Sequence, residues 1–511
     1  MSALPMNTPP QDEAEAALEE RVQRLARAFR AAGRQLYLVG GPVRDRLLTR
    51  PVHDVDLTTD APPEEIKRLA SKARPNAIYE VGAKFGTIGL IFYEPEPGRD
   101  GRGRHGRGRD GRAPDGQQQS AERPDEAEHG ARTRAETRIE ITTFRSEHYL
   151  DGTRHPQVTF GTRLEEDLAR RDFTMNAVAQ DVFTGELHDP FDGAADVERR
   201  LIRAVGDPLE RFREDPLRLL RAVRFAAQLG FTIEPRTEAA IRASASSLER
   251  ISRERIQEEL SRILVSPRPS HGIRLATDLG LMAYAIQEVL PMRGVSQRPL
   301  HHKDVFEHTM GVLENIPADL VLRWAALLHD IGKPRTKSVH QGEVHFFGHE
   351  DVGERMARQI LRRLHFDNGF IERVAKLVRM HLRVNSYDSE WTDSAVRRLV
   401  REAGDELGDL IQLSRADVTS YRQERLKAAA MRADEFERRC KELLEREDVA
   451  KLHSPLDGHE LMALFGKGPG PWIKPIKEYL LDLVLDGALD QEDKDTAVEL
   501  ARRYAAEHGL T

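Results

Sequence analysis

Residues 38–60 read LVGGPVRDRLLTRPVHDVDLTTD, and this stretch decides the fold of the N-terminal half. A short apolar run ends in Gly40 and Gly41, a helix opens with Arg44 and Asp45, and an alternating apolar–polar segment then carries Asp54 and Asp56. Such alternation marks a half-buried strand, in which residues two apart point to one face. Both carboxylates therefore converge on one spot, and two hard oxygen ligands there suit Mg²⁺. The glycines let the backbone approach a triphosphate closely, and a helix N-terminus with Arg44 meets its charge. An Asp-x-Asp on a strand is often surface decoration; its spacing from Gly-Gly is what separates this one from that reading.

Upstream, Val22, Leu25, Ala26 and Phe29 recur at helical spacing and Gly33 stops the helix, while residues 1–20 read as a disordered leader. Downstream, strands are expected in AIYEVG (77–82), TIGLIFY (87–93) and RIEITTFR (138–145), making a small mixed sheet with helices around it. The intervening segment 94–137 is rich in Gly, Arg, Asp, Gln and Pro and cannot bury enough surface to fold. Its arginines at 99, 102, 104, 107, 109 and 112 make it either a cationic tether for RNA or a solvated extension of a hairpin loop. From about residue 186 strand signals nearly vanish and amphipathic helical patterns run to the end, so the expected class is α+β with an all-α second half.

The chain has 511 residues, with 78 Lys and Arg against 85 Asp and Glu and a net charge of −7, a balance that argues against a uniformly basic nucleic-acid coat. At roughly 100–200 residues per domain the length suggests about three or four domains. No apolar run approaches the ~18 residues of a spanning helix. The acidic, Pro-interrupted N-terminus lacks the charge and apolar stretch of a secretory signal, so no membrane partner and a cytoplasmic location are expected. The single cysteine, Cys440, excludes a disulfide framework and any zinc site of several thiolates. Any metal must be held by Asp, Glu and His.

GGPVRD and HDVDLTT are followed in order by DLARRDFTMNA (167–177), DPFDG (189–193), LIRAVGDP (201–208) and REDPLRLLRAVRFAAQLGF (213–231). Over about residues 35–260 this series resembles the class II tRNA nucleotidyltransferase and bacterial poly(A) polymerase family, a branch of the DNA polymerase β-like superfamily. The resemblance implies that Asp54 and Asp56 hold two Mg²⁺ ions during in-line attack of an RNA 3′-hydroxyl on the α-phosphorus of CTP or ATP. Glu140 stands where related polymerases keep a third carboxylate, and shares a strand face with Thr142; the alternative is a solvent-facing strand glutamate. Arg171 and Asp172 resemble the family's ribose and triphosphate contacts, with a structural salt bridge as the alternative. Gly40, Gly41, Arg44 and Asp45 complete the phosphate-binding set.

Pro216 is a good first helical residue, so Asp215 and Arg218 fall one turn apart on one side of a helix. On its own this reads as an N-cap with an i,i+3 salt bridge. By the resemblance, Glu214, Asp215 and Arg218 belong to the pocket that reads the incoming base. A fixed carboxylate acceptor and guanidinium donor match the amino donor and ring-nitrogen acceptor of cytosine and adenine, and mismatch uracil and guanine. Arg221 and Arg224 follow on the same helix and would position base or RNA backbone, while Leu219, Val223 and Ala226 form its buried stripe. SEHYLDGTRHPQVTF (146–160) resembles the family's flexible loop for switching from C to A addition, with Thr153 intervening between Asp-Gly and Arg.

A second constellation begins with His308, continues with the pair His329–Asp330 after the apolar helix LVLRWAALL, and adds His349, His381 and Asp417. The order, with HDIGKP, resembles the HD-superfamily phosphohydrolases. That implies His308, His329, Asp330 and Asp417 as ligands of a divalent metal, with His349 and His381 contacting phosphate or a second ion; a packed core histidine is the alternative for His381. Imidazole with carboxylate suits Mn²⁺, Ni²⁺, Co²⁺ or Fe. The implied reaction is phosphoester hydrolysis at a damaged or cyclic RNA 3′ end. The tail SPLDGHELMALFGKGPGPWIKPIKEYLLDLVLDGAL (454–489) reads as helices for docking RNA, or for dimerisation.

The expected organisation is thus a leader 1–20, a nucleotidyltransferase head 21–185 with the insertion 94–137, a helical neck 186–295, an HD domain 296–430 and a tail 431–511. The expected function is CCA addition to tRNA from CTP and ATP, with a second hydrolytic activity. The alternatives are poly(A) polymerase, A-only or CC-only addition, an HD phosphohydrolase whose head only binds RNA, and a non-catalytic RNA-binding protein.

Overall fold

The computed structural model describes residues 13–52, 55–81, 86–93, 136–148, 157–161, 163–296, 304–341, 343–388, 390–419, 423–446 and 452–510. Asp54, residues 94–135 of the expected insertion and residues 149–156 of the expected switching loop lie outside them. The chain forms two compact units: Met1–Glu214 with Thr232–Thr237, and Asp215–Phe231 with Glu238–Thr511.

In the first unit, strands β1 (Leu36–Val39), β2 (Val55–Thr59), β3 (Ala77–Val81), β4 (Thr87–Tyr93), β5 (Glu136–Thr143), β8 (Ala179–Asp181) and β9 (Leu187–His188) make one mixed sheet in the order β3-β4-β5-β2-β1-β8-β9. β2 and β5 run parallel while the other neighbours are antiparallel. A separate hairpin, β6 (Arg145–His148) with β7 (Gln157–Phe160), brackets the expected switching loop. Alternation sorts the sheet's side chains by face. Leu36, Leu38, Val55, Leu57, Ile139 and Ile141 point into a core closed by Leu18, Val22, Leu25 and Phe29 of the helix Glu13–Ala31. Tyr37 and Val39 point to the opposite face, where a smaller cluster with Phe144, Leu164 and Leu168 covers part of the sheet. Asp56 and Glu140 alternate with core residues and so share that second face.

Two expectations about this unit change. The first helix starts at Glu13, inside the stretch expected as leader, because Leu18 is a core residue. Residues 186–214 belong with the head rather than a helical neck: β9 extends the main sheet, β10 (Leu201–Ile202) pairs with β11 (Thr232–Ile233), and Thr174 N donates to Arg203 O at 2.9 Å. These strands are two residues long, too short to show a period of two.

Among its described residues the second unit is helical, with one exception to the expected all-α half: β12 (Ser338–His340) and β13 (Glu343–His345) form a hairpin. Its first layer packs the helices Leu217–Leu229, Arg253–Leu264 and Pro269–Asp278 together, and buried Trp324 of the helix Leu320–Leu328 donates to Ser261 Oγ at 3.1 Å. The helices Asn368–Asn385 and Leu407–Asp417 pack on the helix Leu320–Leu328, and the helix His349–Arg363 packs on Asn368–Asn385. The last helices, Gly458–Phe465, Ile473–Leu485 and Lys494–Glu507, have their own apolar cluster around Leu461, Ile476 and Leu480. Among the described residues no helix is long and apolar enough to cross a membrane.

Candidate functional site

In the first unit the turn before the helix Gly41–Leu47 is set by Gly40, whose φ of 76° and ψ of −130° suit only glycine. A Cβ there would also stand 3.0 Å from Arg171 Nη1, so the turn and that guanidinium are in close contact. Arg44, largely buried, donates from Nε and Nη2 to the two carboxylate oxygens of Asp45, both at 2.9 Å, and from Nη1 to Asn176 Oδ1 at 3.0 Å. Asn176 Nδ2 in turn donates to Asp172 Oδ1 at 3.1 Å, and that oxygen also accepts from Phe173 N at 2.8 Å. One lattice thus joins Gly-Gly, Arg44, Asp45 and the ARRDFTMNA turn. Asn176 is the member that sequence reasoning missed.

Asp56 and Glu140 are register partners across the parallel β2–β5 ladder, which puts the two carboxylates side by side on one sheet face. Asp56 is exposed and Glu140 half-buried, so both remain accessible to a ligand. One step along the same face, Thr58 pairs with Thr142 and approaches the fully buried carboxylate of Asp167 at 3.5 Å. Asp167 pairs with Arg170 at 2.6 Å and Arg171 at 3.3 Å. Burial works to raise its pKa, but the two guanidiniums win and hold the carboxyl below its usual range. Asp167, unassigned by the sequence reading, is therefore what orients Arg171.

In the second unit the helix Leu217–Leu229 begins after Pro216, and Asp215 Oδ1 accepts from Leu217 N at 3.1 Å. Its Oδ2 accepts from Arg255 Nη2 at 2.9 Å, across from the helix Arg253–Leu264. Arg218 is buried on the first turn. Glu214 ends the other unit, paired with Arg211 at 3.0 Å. Arg224 Nε donates to Glu259 Oε2 at 2.7 Å with both groups buried, and Arg221 lies 3.8 Å from the same carboxylate. Removing one partner of such a pair leaves a buried charge unsatisfied, so Glu259→Ala is expected to cost about 3–5 kcal/mol. A urea unfolding midpoint close to wild type would contradict that expectation.

All six residues of the HD series come together. His308 comes from the helix Val305–Asn315, His329 and Asp330 follow the helix Leu320–Leu328, His349 opens one helix, His381 lies in the next, and Asp417 ends the helix Leu407–Asp417. His308, His329 and Asp417 form one group of convergent donor atoms; Asp330, His349 and His381 form a second. Asp330 joins them: Oδ2 lies 3.2 Å from His329 Nε2 and 3.5 Å from His308 Nε2, and Oδ1 lies 3.5 Å from His349 Nε2 and 3.7 Å from His381 Nε2. Buried Asp330 Oδ1 has no hydrogen-bond partner.

The imidazoles are preset. His329, His349 and His381 place Nδ1 at 2.8, 2.7 and 2.6 Å from the carbonyls of Ala326, Phe346 and Val378, each three residues upstream. A carbonyl only accepts, so Nδ1 carries the hydrogen and a neutral ring offers its Nε2 lone pair inward. Asp417 is supported by Asn385 Nδ2 at 3.0 Å, and Asn385 by Ser414 Oγ at 2.7 Å. Burial opposes charge on His329, yet Asp330 and Asp417 overcome it and raise the group to about 10. Burial, with the charge on His329, pushes His381 down to about 4. Asp330 and Asp417 are held well below the carboxylate range by the neighbouring imidazoles, and by Lys333 at 2.7 Å from Asp330, against the effect of burial. Inward-facing Nε2 atoms, an unpartnered buried oxygen and two carboxylates of lowered pKa fit divalent cations.

The chain matches the family model described as the Poly A polymerase head domain over residues 36–99 and 114–203. It also matches the probable RNA and SrmB-binding site of polymerase A over 230–292 and the HD domain over 301–422. It is 38% identical over 345 residues to an A-adding tRNA nucleotidyltransferase of Deinococcus radiodurans, covering 64% of this chain and 77% of that one. To a CCA-adding enzyme of Levilactobacillus brevis it is 40% identical over 266 residues, 52% of this chain and about half (55%) of that enzyme's length. The structure is similar to that of the Bacillus stearothermophilus CCA-adding enzyme in complex with CTP, with a TM-score of 0.62, 26% identity, and coverage of 96% of this chain and 99% of that one.

Proposed function

We infer the activity of this chain from one premise: it belongs to the tRNA nucleotidyltransferase family. It adds CCA to tRNA 3′ ends from CTP and ATP, with its own side chains in place of a template. What supports this reading is the pairing of Asp56 with Glu140 across β2 and β5, beside the Arg44–Asn176–Asp172 lattice.

Asp54, Asp56 and Glu140 would hold Mg²⁺, whose charge offsets that building on the reacting phosphates. The RNA 3′-hydroxyl attacks the α-phosphorus, a phosphodiester bond forms, and pyrophosphate leaves opposite the attacking oxygen. Gly40 and Gly41 let the triphosphate lie against the backbone. Arg44 shapes that turn through Asp45 and Asn176, and Arg171, oriented by Asp167, is the cation that meets the phosphates. Asp172 contributes to the ribose side. Asp215 accepts the amino group of cytosine or adenine, Arg218 donates to the ring nitrogen, and Arg255 fixes the carboxylate. Arg221 and Arg224 position the helix through Glu259. UTP and GTP are rejected because each would leave buried Arg218 and half-buried Asp215 unpaired.

At the second centre, His308, His329, Asp417 and Asp330 would hold one divalent transition metal such as Mn²⁺, Ni²⁺ or Co²⁺. Asp330, His349 and His381 would hold another. Cations there supply Lewis-acid chemistry for hydrolysis of a phosphoester at an RNA 3′ end.

The likeness to the Deinococcus radiodurans enzyme favours one second reading, addition of the terminal A alone. The two are separated by tRNA transcripts ending before CCA, after C and after CC, each incubated with one radiolabelled nucleotide. Labelling by CTP of the first two and by ATP of the third is the expected pattern. Labelling of the CC-ended transcript alone identifies an A-adding enzyme.

A further inference from the structure

Beside the HD ligands, β12, β13 and the residues after them expose a row of rings. The centroids of His340 and His345 are 5.9 Å apart, and His345 stacks on Phe347 at 5.0 Å with 8° between the planes. Phe347 is 72% exposed and Val339 62% exposed, among the most exposed large apolar residues described. The row runs directly into the metal-ligand set. Gly348, with φ of 68°, turns the chain into His349, whose Nδ1 donates to Phe346 O. Lys333, on Asp330, lies 5.6 Å from the Phe346 ring centroid. Residues 331–348 contain Lys333, Arg335 and Lys337 against Glu343 as the one carboxylate, a charge of +3 − 1 = +2 in a chain whose total is −7.

A scattered apolar side chain on a surface is ordinary. Phe347 differs in stacking on an imidazole while staying 72% exposed, so that it offers a flat ring to solvent. Flat rings with cations alongside are what a single-stranded nucleic acid recognises, because every base has a π-face and every linkage a charge. A basic partner is disfavoured by the local charge, and an aliphatic one gains little from a parallel ring stack.

We propose that this row is a base-stacking platform: Phe347, backed by His345, receives the terminal base of an RNA 3′ end whose phosphate enters the HD centre, while Lys333, Arg335 and Lys337 meet the backbone. The proposal rests on the hydrolase reading of that centre. It makes the hairpin the element that selects nucleotide phosphoesters over other phosphoesters.

The test uses the full chain loaded with Mn²⁺, Ni²⁺ or Co²⁺ and two secondary-alcohol monoesters, a short RNA ending in a 3′-phosphate and the base-free glycerol 2-phosphate. Phe347→Ala is expected to lower the ratio of kcat/KM for RNA over glycerol 2-phosphate about tenfold, through KM, given the energy of one base–aromatic stack. Phe347→Tyr is expected to restore it. A ratio left unchanged by Phe347→Ala, including one in which both substrates decline together, overturns the platform. Should the wild-type protein hydrolyse neither monoester with any of the three metals, the hydrolase reading fails by itself. The platform is then judged by binding of the same RNA carrying 2-aminopurine at its 3′ end. Quenching lost in Phe347→Ala and kept in Phe347→Tyr supports it, and equal quenching in all three proteins overturns it.

Discussion

Asp56→Ala is expected to reduce nucleotide addition to tRNA by about 10³-fold or more while hydrolysis at the HD centre persists. The size follows from the chemistry: several kcal/mol of charge stabilisation is lost when a metal site loses a carboxylate, and each 1.4 kcal/mol is about a factor of ten in rate. Asp56 is exposed and its neighbours Val55 and Leu57 supply the core contacts, so truncation leaves the sheet packed. The measurement is radiolabelled CMP and AMP incorporation into tRNA transcripts, with phosphate release from a 3′-phosphorylated RNA assayed on the same preparation. Loss of both activities in a protein with unchanged circular dichroism would sink the two-centre model, as would near-normal addition.

Asp330→Ala is expected to do the reverse, and to do so more completely than any other single change at the HD centre. Its two oxygens serve both groups of donor atoms, whereas each histidine serves one. Removing it also leaves Lys333 without its carboxylate. Phosphoester hydrolysis should fall by about 10³-fold or more, and bound transition metal, counted by mass spectrometry after dialysis, should fall with it. Nucleotide addition should continue. Retention of stoichiometric metal in Asp330→Ala would show that the six residues do not act as one centre.

Much of this was legible from local spacing. Gly40 and Gly41, the strand that carries Asp56, Asp215 before Pro216 and the His–Asp pair after an apolar helix each carry their geometry within a few residues. The register of Asp56 with Glu140 was half legible, since alternation gives the face of each strand but not which strands are neighbours. The short strands were not legible, because two residues carry no periodicity. Arg255 and Glu259 were missed because their partners are separated by 40 and 35 residues. Glu259 did leave a trace: with Ile256, Leu260 and Ile263 it falls on the buried face of its helix, where a carboxylate implies a cation opposite. Asp167 and Asn176 stood inside a quoted motif, but the ion pairs of Asp167 form only once the motif has folded, and Arg44, which donates to Asn176, is 132 residues away.

The carbonyls that hold His329, His349 and His381 each belong to the same stretch of chain as the ring they hold. Small slides of one helix past another therefore carry ring and anchor together, changing how far apart the Nε2 atoms stand without changing where they aim. Such a centre behaves as a vice with rigid jaws and an adjustable gap. Were a divalent cation held there, ionic radius could vary across Mn²⁺, Co²⁺ and Ni²⁺ at little cost in donor alignment, and its identity would be set by supply more than by fit.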